Sequence, residues 1–196
     1  MQREKFMKPE YRKEILSVLS TVNRSGIEKL CHYLESSDFF TAPASTRFHL
    51  AFPGGLAEHS WNVYTIFKEK NAHYNLRLNE GSVALCGLLH DACKIGVYKK
   101  GKKNVKENNK WIEKEVWEFK DAVPFGHGEK SVYVIQKYIE LTEEEAMIIR
   151  WHMGFTEPRE IWSTFRNAID LYPSIIALHC ADLEASSIIE ARGAAQ

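Results

Sequence analysis

Six side chains carry the chemistry that can be read in this chain: His59, the adjacent pair His90-Asp91, His127, His152 and Asp182. The stretch "LLHDACK" drives an apolar run straight into His90 and Asp91. Burying an imidazole beside a carboxylate is costly unless something pairs with both. Asp182 repeats the pattern behind the apolar run of "ALHCADLEA". Four imidazoles and two carboxylates are a plausible ligand set for two metal ions. Mixed nitrogen and oxygen donors suit Fe, Mn, Co, Ni or Zn, whereas Mg and Ca favour all-oxygen shells. An ion would stabilise the His-Asp pair. Any one of these histidines alone is more often a hydrogen-bonded core or surface residue, so the case rests on the set.

Positioning them falls to helices. Apolar residues recur at helical spacing over 10–23, with Ile15, Leu16, Val18, Leu19 and Val22, and again over 25–36, where Ser25 is a plausible N-cap. A loop broken by Pro43, Pro53 and Gly54-Gly55 follows. The pattern then predicts a helix from Leu56 to the low seventies, and another from about Gly81 to Ile95 that stops at Gly96. Further helices are expected near 128–139, from Thr142 with its capping-box "TEEE" to about Met153-Gly154, at 161–170 and at 174–191. His59 stands near the start of one long helix and His90 near the end of the next. If the two pack antiparallel, both imidazoles lie at one end of the pair. His127 and His152 repeat the arrangement in a second helical hairpin.

Bulk properties narrow the partners. The chain has 196 residues, 44% apolar, with zero formal net charge. No whole-molecule field recommends duplex DNA or an acidic membrane. The N-terminal stretch has no apolar h-region, and no run approaches the length of a spanning helix. The four cysteines, Cys31, Cys86, Cys93 and Cys180, form no CxxC pair and read as buried reduced thiols. A single domain over 1–196, with helices 10–36 packed on the rest, and a cytoplasmic location are expected.

These residues resemble the HD superfamily of metal-dependent phosphohydrolases, whose pattern is a His, an adjacent His-Asp pair and a distant Asp. Here that pattern is His59, His90-Asp91 and Asp182. The segments "PASTRFHLAFPGGLAEHSWNV", "GLLHDACKIGVY", "PFGHGEKSV", "IRWHMG" and "ALHCADLEA" look like those of the branch with the HD domain of bacterial 3′–5′ exoribonucleases. That branch often has two histidines where this chain has His49-Leu50. The resemblance covers roughly 40–190 and implies an all-α, HD-type helical bundle. It also implies a phosphodiesterase or nucleotide phosphatase. One divalent transition-metal ion would take His59, His90, Asp91 and Asp182, and a second would take His127 and His152, with Asp91 bridging. The pair would activate a bridging hydroxide to attack phosphorus. Lys94, four residues after His90, would face the substrate and bind a phosphate oxygen, so Asp91 and Lys94 are the expected catalytic residues.

Weaker candidates surround this set. Arg47 and His49 precede His59 on the loop and could meet a phosphate or a base. Lys130 and Ser131 follow His127 by three and four residues, with solvent exposure the plainer expectation. Glu58 or Glu129 could accept from a ligating imidazole. Arg150 is offset from His152 and should face elsewhere; His32, His73 and His179 are assigned to structure or surface, and His179, one turn before Asp182, could line the pocket wall. Residues 97–123 change character and read as a β-hairpin or irregular flap. Its "YKKGKKNVKENNK" holds six lysines against one glutamate, a solvated tip or a cationic guide for an anionic substrate. Trp111 and Trp117 could stack on a base or join the core. The expected ligand is a phosphate-containing small molecule or short oligonucleotide. Two other readings use the same residues: a di-iron oxygenase on the HD fold, and a non-catalytic nucleotide-binding module.

Overall fold

A computed structural model describes residues 8–46, 50–107 and 109–191. In chain order it contains α1 (Lys8–Ser20), α2 (Ile27–Ser36), α3 (Gly55–His73), α4 (Glu80–Leu89), strands β1 (Tyr98–Glu107) and β2 (Lys110–Phe119), then α5 (His127–Gln136), α6 (Glu143–Arg150), α7 (Trp162–Leu171) and α8 (Ser174–Glu184). A π-helical turn, Ala185–Ile189, extends α8. No helix of the described residues is long and apolar enough to cross a membrane.

The mostly helical architecture is the one expected, and α4 is its centre. Every residue from Ser82 to Leu89 is buried, as befits a helix that is apolar all round. It packs against α1, α3 and α6. Asn79 caps its start by accepting from the Ser82 amide at 2.9 Å. Two glycines set how closely the site-bearing helices approach. A Cβ on Gly87 would come within 2.7 Å of the Tyr64 Cα on α3. A Cβ on Gly128 would collide with the backbone carbonyl of Arg150 at the end of α6. Each glycine lies within one turn of a histidine of the set.

An ion pair between part-buried Arg24 and buried Glu145 ties the N-terminal helices to this core. Glu145, fully buried, accepts from Arg24 at 2.6 and 3.0 Å, from the Ser82 hydroxyl at 2.7 Å and from the Thr142 amide at 2.8 Å. The last contact completes the capping box expected at Thr142.

Several helix ends differ from the sequence expectation. The helix expected to reach Ile95 stops at Leu89, and Ala92–Lys94 form a separate 3-10 turn. Gly96 does take a left-handed φ of 76°, after that turn rather than after an α-helix. The cap of α2 is Gly26 at φ 86°, not Ser25, and the Tyr138 carbonyl occupies the space a side chain at position 26 would need. The helix after Thr142 ends at Arg150, three residues early, and the last one passes into the π turn after Glu184.

Residues 97–123 resolve into a regular antiparallel hairpin, paired from Tyr98↔Phe119 to Glu107↔Lys110. The lysines expected to form a cationic tip are partly answered across the strands. Lys100 meets Glu115 at 3.3 Å and Lys102 meets Glu113 at 2.7 Å. Trp117 packs partly buried against the core, whereas Trp111 is 70% exposed.

Candidate metal centre

The helical hairpins place the histidines as the spacing predicts. His59 lies near the start of α3 and His90 caps the end of α4; their rings are 5.3 Å apart. His127 opens α5 and His152 follows α6, with ring centroids 5.2 Å apart. The two pairs meet, since His90 and His152 are 5.0 Å apart. Asp91 and Asp182 complete the cluster.

Asp91 divides the set between its two oxygens. Oδ1 lies 2.7 Å from His127 Nε2 and 3.8 Å from His152 Nε2. Oδ2 lies 3.5 Å from His90 Nε2 and 3.6 Å from His59 Nε2. Each oxygen therefore faces one helical hairpin. Asp182 joins the second group, with Oδ1 3.1 Å from His59 Nε2. Lys94 also touches Oδ2, at 2.7 Å. The 3-10 turn aims it there, rather than the continued α-helix the sequence suggested.

What orients the imidazoles was only partly legible. His90 Nδ1 donates to the Gly87 carbonyl at 2.9 Å, and His152 Nδ1 to the Ile149 carbonyl at 2.6 Å. Both acceptors are carbonyls three residues back, in the last turn of a helix, where intrahelical partners run out. With Nδ1 so engaged, each ring directs Nε2 at the centre. His59 instead donates through Nδ1 to Glu190 at 3.0 and 3.2 Å, and Asn62 also donates to that carboxylate at 3.0 Å. Glu190 is the functional neighbour that sequence reasoning missed. It follows the π turn, whose i→i+5 bond from the Glu190 amide to Ala185 is 2.9 Å long.

The other candidates separate. Glu129 is held by Arg150, which also pairs with Glu157 at 2.7 Å, so it is not the acceptor for a site histidine. The Nδ1 atoms of His59, His90 and His152 are engaged as described, so Glu58 is not the acceptor for those three. Lys130 and Ser131 are buried, contrary to the exposure expected of them. The Lys130 amine is held by Asp121, and the Ser131 hydroxyl accepts the Cys93 amide at 3.1 Å. The hairpin's exit brings Asp121 to α5, a non-local contact that the sequence pattern does not encode. Arg47 and His49 lie outside the described residues. His179 donates to the His152 carbonyl at 2.7 Å and backs the site as a wall.

Burial and charge sort the imidazoles into two kinds. Burial holds His90 below its ordinary pKa and, with His90 and His127 nearby, takes His152 down to about 3. Burial opposes charge on His59 too, but hydrogen bonds to Asp182 and Glu190 override it and raise the pKa to about 9. For His127, Asp91 and Cys93 override burial and raise it to about 10. Burial likewise opposes ionisation of Asp91, yet Lys94, His90 and His127 hold its carboxyl well below the usual range. Asp182 is held low against burial by His59 and His90. Asp91 in turn overrides burial to raise the Lys94 pKa.

The arrangement fits a cation. His152 Nε2 is buried with no hydrogen-bond partner among the described residues, and it is aimed at Asp91. His59 and His90 bring their Nε2 atoms within 3.3 Å of each other. Ligand atoms about 2.0–2.2 Å from a shared ion come to lie roughly this far apart. Two groups, His59-His90-Asp91 and His90-His152-Asp182, each place one donor atom per residue within 4.8 Å of the others. The cluster opens on one side, where His127 and Asp182 keep 34% and 23% of their side-chain surface exposed.

A family model for the HD domain matches residues 56–185, a span that holds all six residues and Lys94. No curated protein and no solved structure matches the chain.

Proposed function

Since the chain belongs to the HD-domain family, we propose that it is a metal-dependent phosphohydrolase, a phosphodiesterase or a nucleotide phosphatase. HD domains in general carry metal-dependent, hydrolase-type activity. The observation that carries the finer reading is the convergence of four Nε2 atoms on the two oxygens of Asp91, with Asp182 beside His59. In this reading His59, His90 and Asp182 would hold one divalent transition-metal ion and His127 and His152 the other, with Asp91 available to both.

When bound, such ions supply Lewis acidity toward a phosphoryl oxygen and a water acidic enough to attack phosphorus near neutral pH. The chain supplies the rest. Asp91, kept ionised by Lys94, fixes the separation of the two ligand groups. His90 and His152 are held neutral by burial, as ligation requires. Glu190 and the helix-end carbonyls fix the ring orientations. Lys94 meets Asp91 with one N–H, and its ammonium has two more for a substrate phosphate oxygen. A buried cation beside the ligand cluster suits an anionic phosphoryl group. The exposed edge at His127 and Asp182 gives the substrate its way in.

Metal analysis of protein purified without added metal, followed by a panel of nucleotides and phosphodiesters, tests the reading. We expect up to two equivalents of transition metal and release of phosphate or a nucleoside monophosphate. Lys94→Met should lower turnover about 10²–10³-fold, the scale of removing one transition-state donor, with metal content unchanged. Oxygen uptake by the iron-loaded protein without phosphate release would replace the hydrolase with an oxygenase. Nucleotide binding by the metal-loaded protein with no turnover would make it a binding module.

A further inference from the structure

Cys93 is a group the mechanism above does not use. It lies two residues after Asp91, in the 3-10 turn, and is 5% exposed. The bond from its amide to Ser131 fixes it against α5. Its Sγ lies 3.5 Å from both ring nitrogens of His127. Asp91, Cys93 and His127 each place one donor atom within 4.8 Å of the others. The second observation is His152 Nε2, fully buried and without a partner among the described residues, aimed at the same Asp91 oxygen that His127 touches.

The spacing suits coordination. A thiolate about 2.3 Å and an imidazole nitrogen about 2.0 Å from one tetrahedral ion lie about 3.5 Å apart. The sulfur–nitrogen separation here is 3.5 Å. The other fully buried cysteine, Cys86, faces only the Glu145 carbonyl, at 3.9 Å.

We propose that Cys93 is a metal ligand, joining Asp91, His127 and His152 around the second cation. This rests on the metal-centre reading above and deepens it. On binding, a sulfur–metal bond forms and the thiol proton passes to solvent; nothing is oxidised or reduced. A sulfur donor among nitrogen and oxygen donors biases this position toward Zn, Fe or Co and away from Mn and Mg. The two positions then differ in chemistry, since the group around His59 and His90 has nitrogen and oxygen donors alone.

Loading with Co²⁺ tests this directly. The wild-type protein should show a thiolate-to-cobalt charge-transfer band in the near ultraviolet, and Cys93→Ser should lose it while still binding Co²⁺ at the other position. Zn²⁺ affinity at the second position should fall about tenfold or more in the variant, the scale on which substitutions at metal sites act. Mn²⁺ affinity should change less. Bound Co²⁺ with no such band in the wild type, or a band of equal strength in Cys93→Ser, would overturn the assignment while leaving the metal centre standing. Failure of Co²⁺, Zn²⁺ and Mn²⁺ to bind at all would instead bring down the centre, and Cys93 with it.

Discussion

Metal binding should release protons, and the structure says how many. With metal stripped by a chelator, His59 and His127 have pKa values near 9 and 10, because neighbouring carboxylates override the burial that opposes their charge. Both are cationic at about pH 7, while His90 and His152 are already neutral. Ligation requires neutral imidazole. Saturation should therefore displace about two protons from imidazoles, and a third if the Cys93 thiol ligates. Apparent affinity should climb about tenfold per pH unit for each proton displaced, until the pH reaches about 9. Titration calorimetry in buffers of different ionisation enthalpy gives the count as a slope. Stability of the chelated protein carries the same signature. The contribution of His59 and His127 is complete below the unfolded value of about 6.5 and is lost as pH rises through about 9 and about 10. His90 and His152 act the other way: the folded state keeps them neutral, so they cost stability as pH falls below about 6.5. Binding with no proton displaced would refute the assignment of His59 and His127 as carboxylate-held ligands.

Other perturbations separate the parts. Glu190→Ala should cost about 10–100-fold in metal affinity, by releasing the ring of His59, with the circular dichroism of the folded protein retained. Gly128→Ala should destabilise by about 1–3 kcal/mol, because the new methyl meets the Arg150 carbonyl; a denaturant midpoint equal to wild type would contradict that close approach. Glu145→Ala should cost about 1–3 kcal/mol by leaving the part-buried Arg24 with only the Glu140 carbonyl, lowering Tm by roughly 5 °C, with little change in metal stoichiometry.

The convergence of the four histidines was legible because it depends on two robust signals. Apolar periodicity fixes long helices, and short connections make successive helices antiparallel. Together they put His59 with His90 and His127 with His152 before any coordinates. The ends of the helices were less legible. The α4 pattern runs on to Ile95, yet the chain leaves the helix at His90, where Nδ1 takes the Gly87 carbonyl. Glu190 was hidden by geometry. At 100° per residue, eight steps along a regular helix leave it about 80° away from the direction of Asp182. The π turn winds less per residue and brings it round to His59. Lys130 was misread for a related reason, since Asp121 reaches it only through the hairpin's path.

The charge states of the four histidines also decide which force governs the site. His90 and His152 stand at helix C-terminal ends, where the macrodipole favours an imidazolium, and His127 opens a helix, where it disfavours one. Burial and the neighbouring charges pull the opposite way, lowering the pKa of His152 and raising that of His127. The dipole contributes up to about 2 kcal/mol in favourable, partly buried geometry; at His152, burial and the neighbouring imidazoles act against it. At His127 the 2.7 Å bond to Asp91, with Cys93, overrides burial. The helix ends thus serve the site through their carbonyls, as hydrogen-bond acceptors that aim Nε2. Charge on His127 is favoured by Asp91 and charge on His59 by Asp182 and Glu190, while Asp91 presents one oxygen to each group of donors.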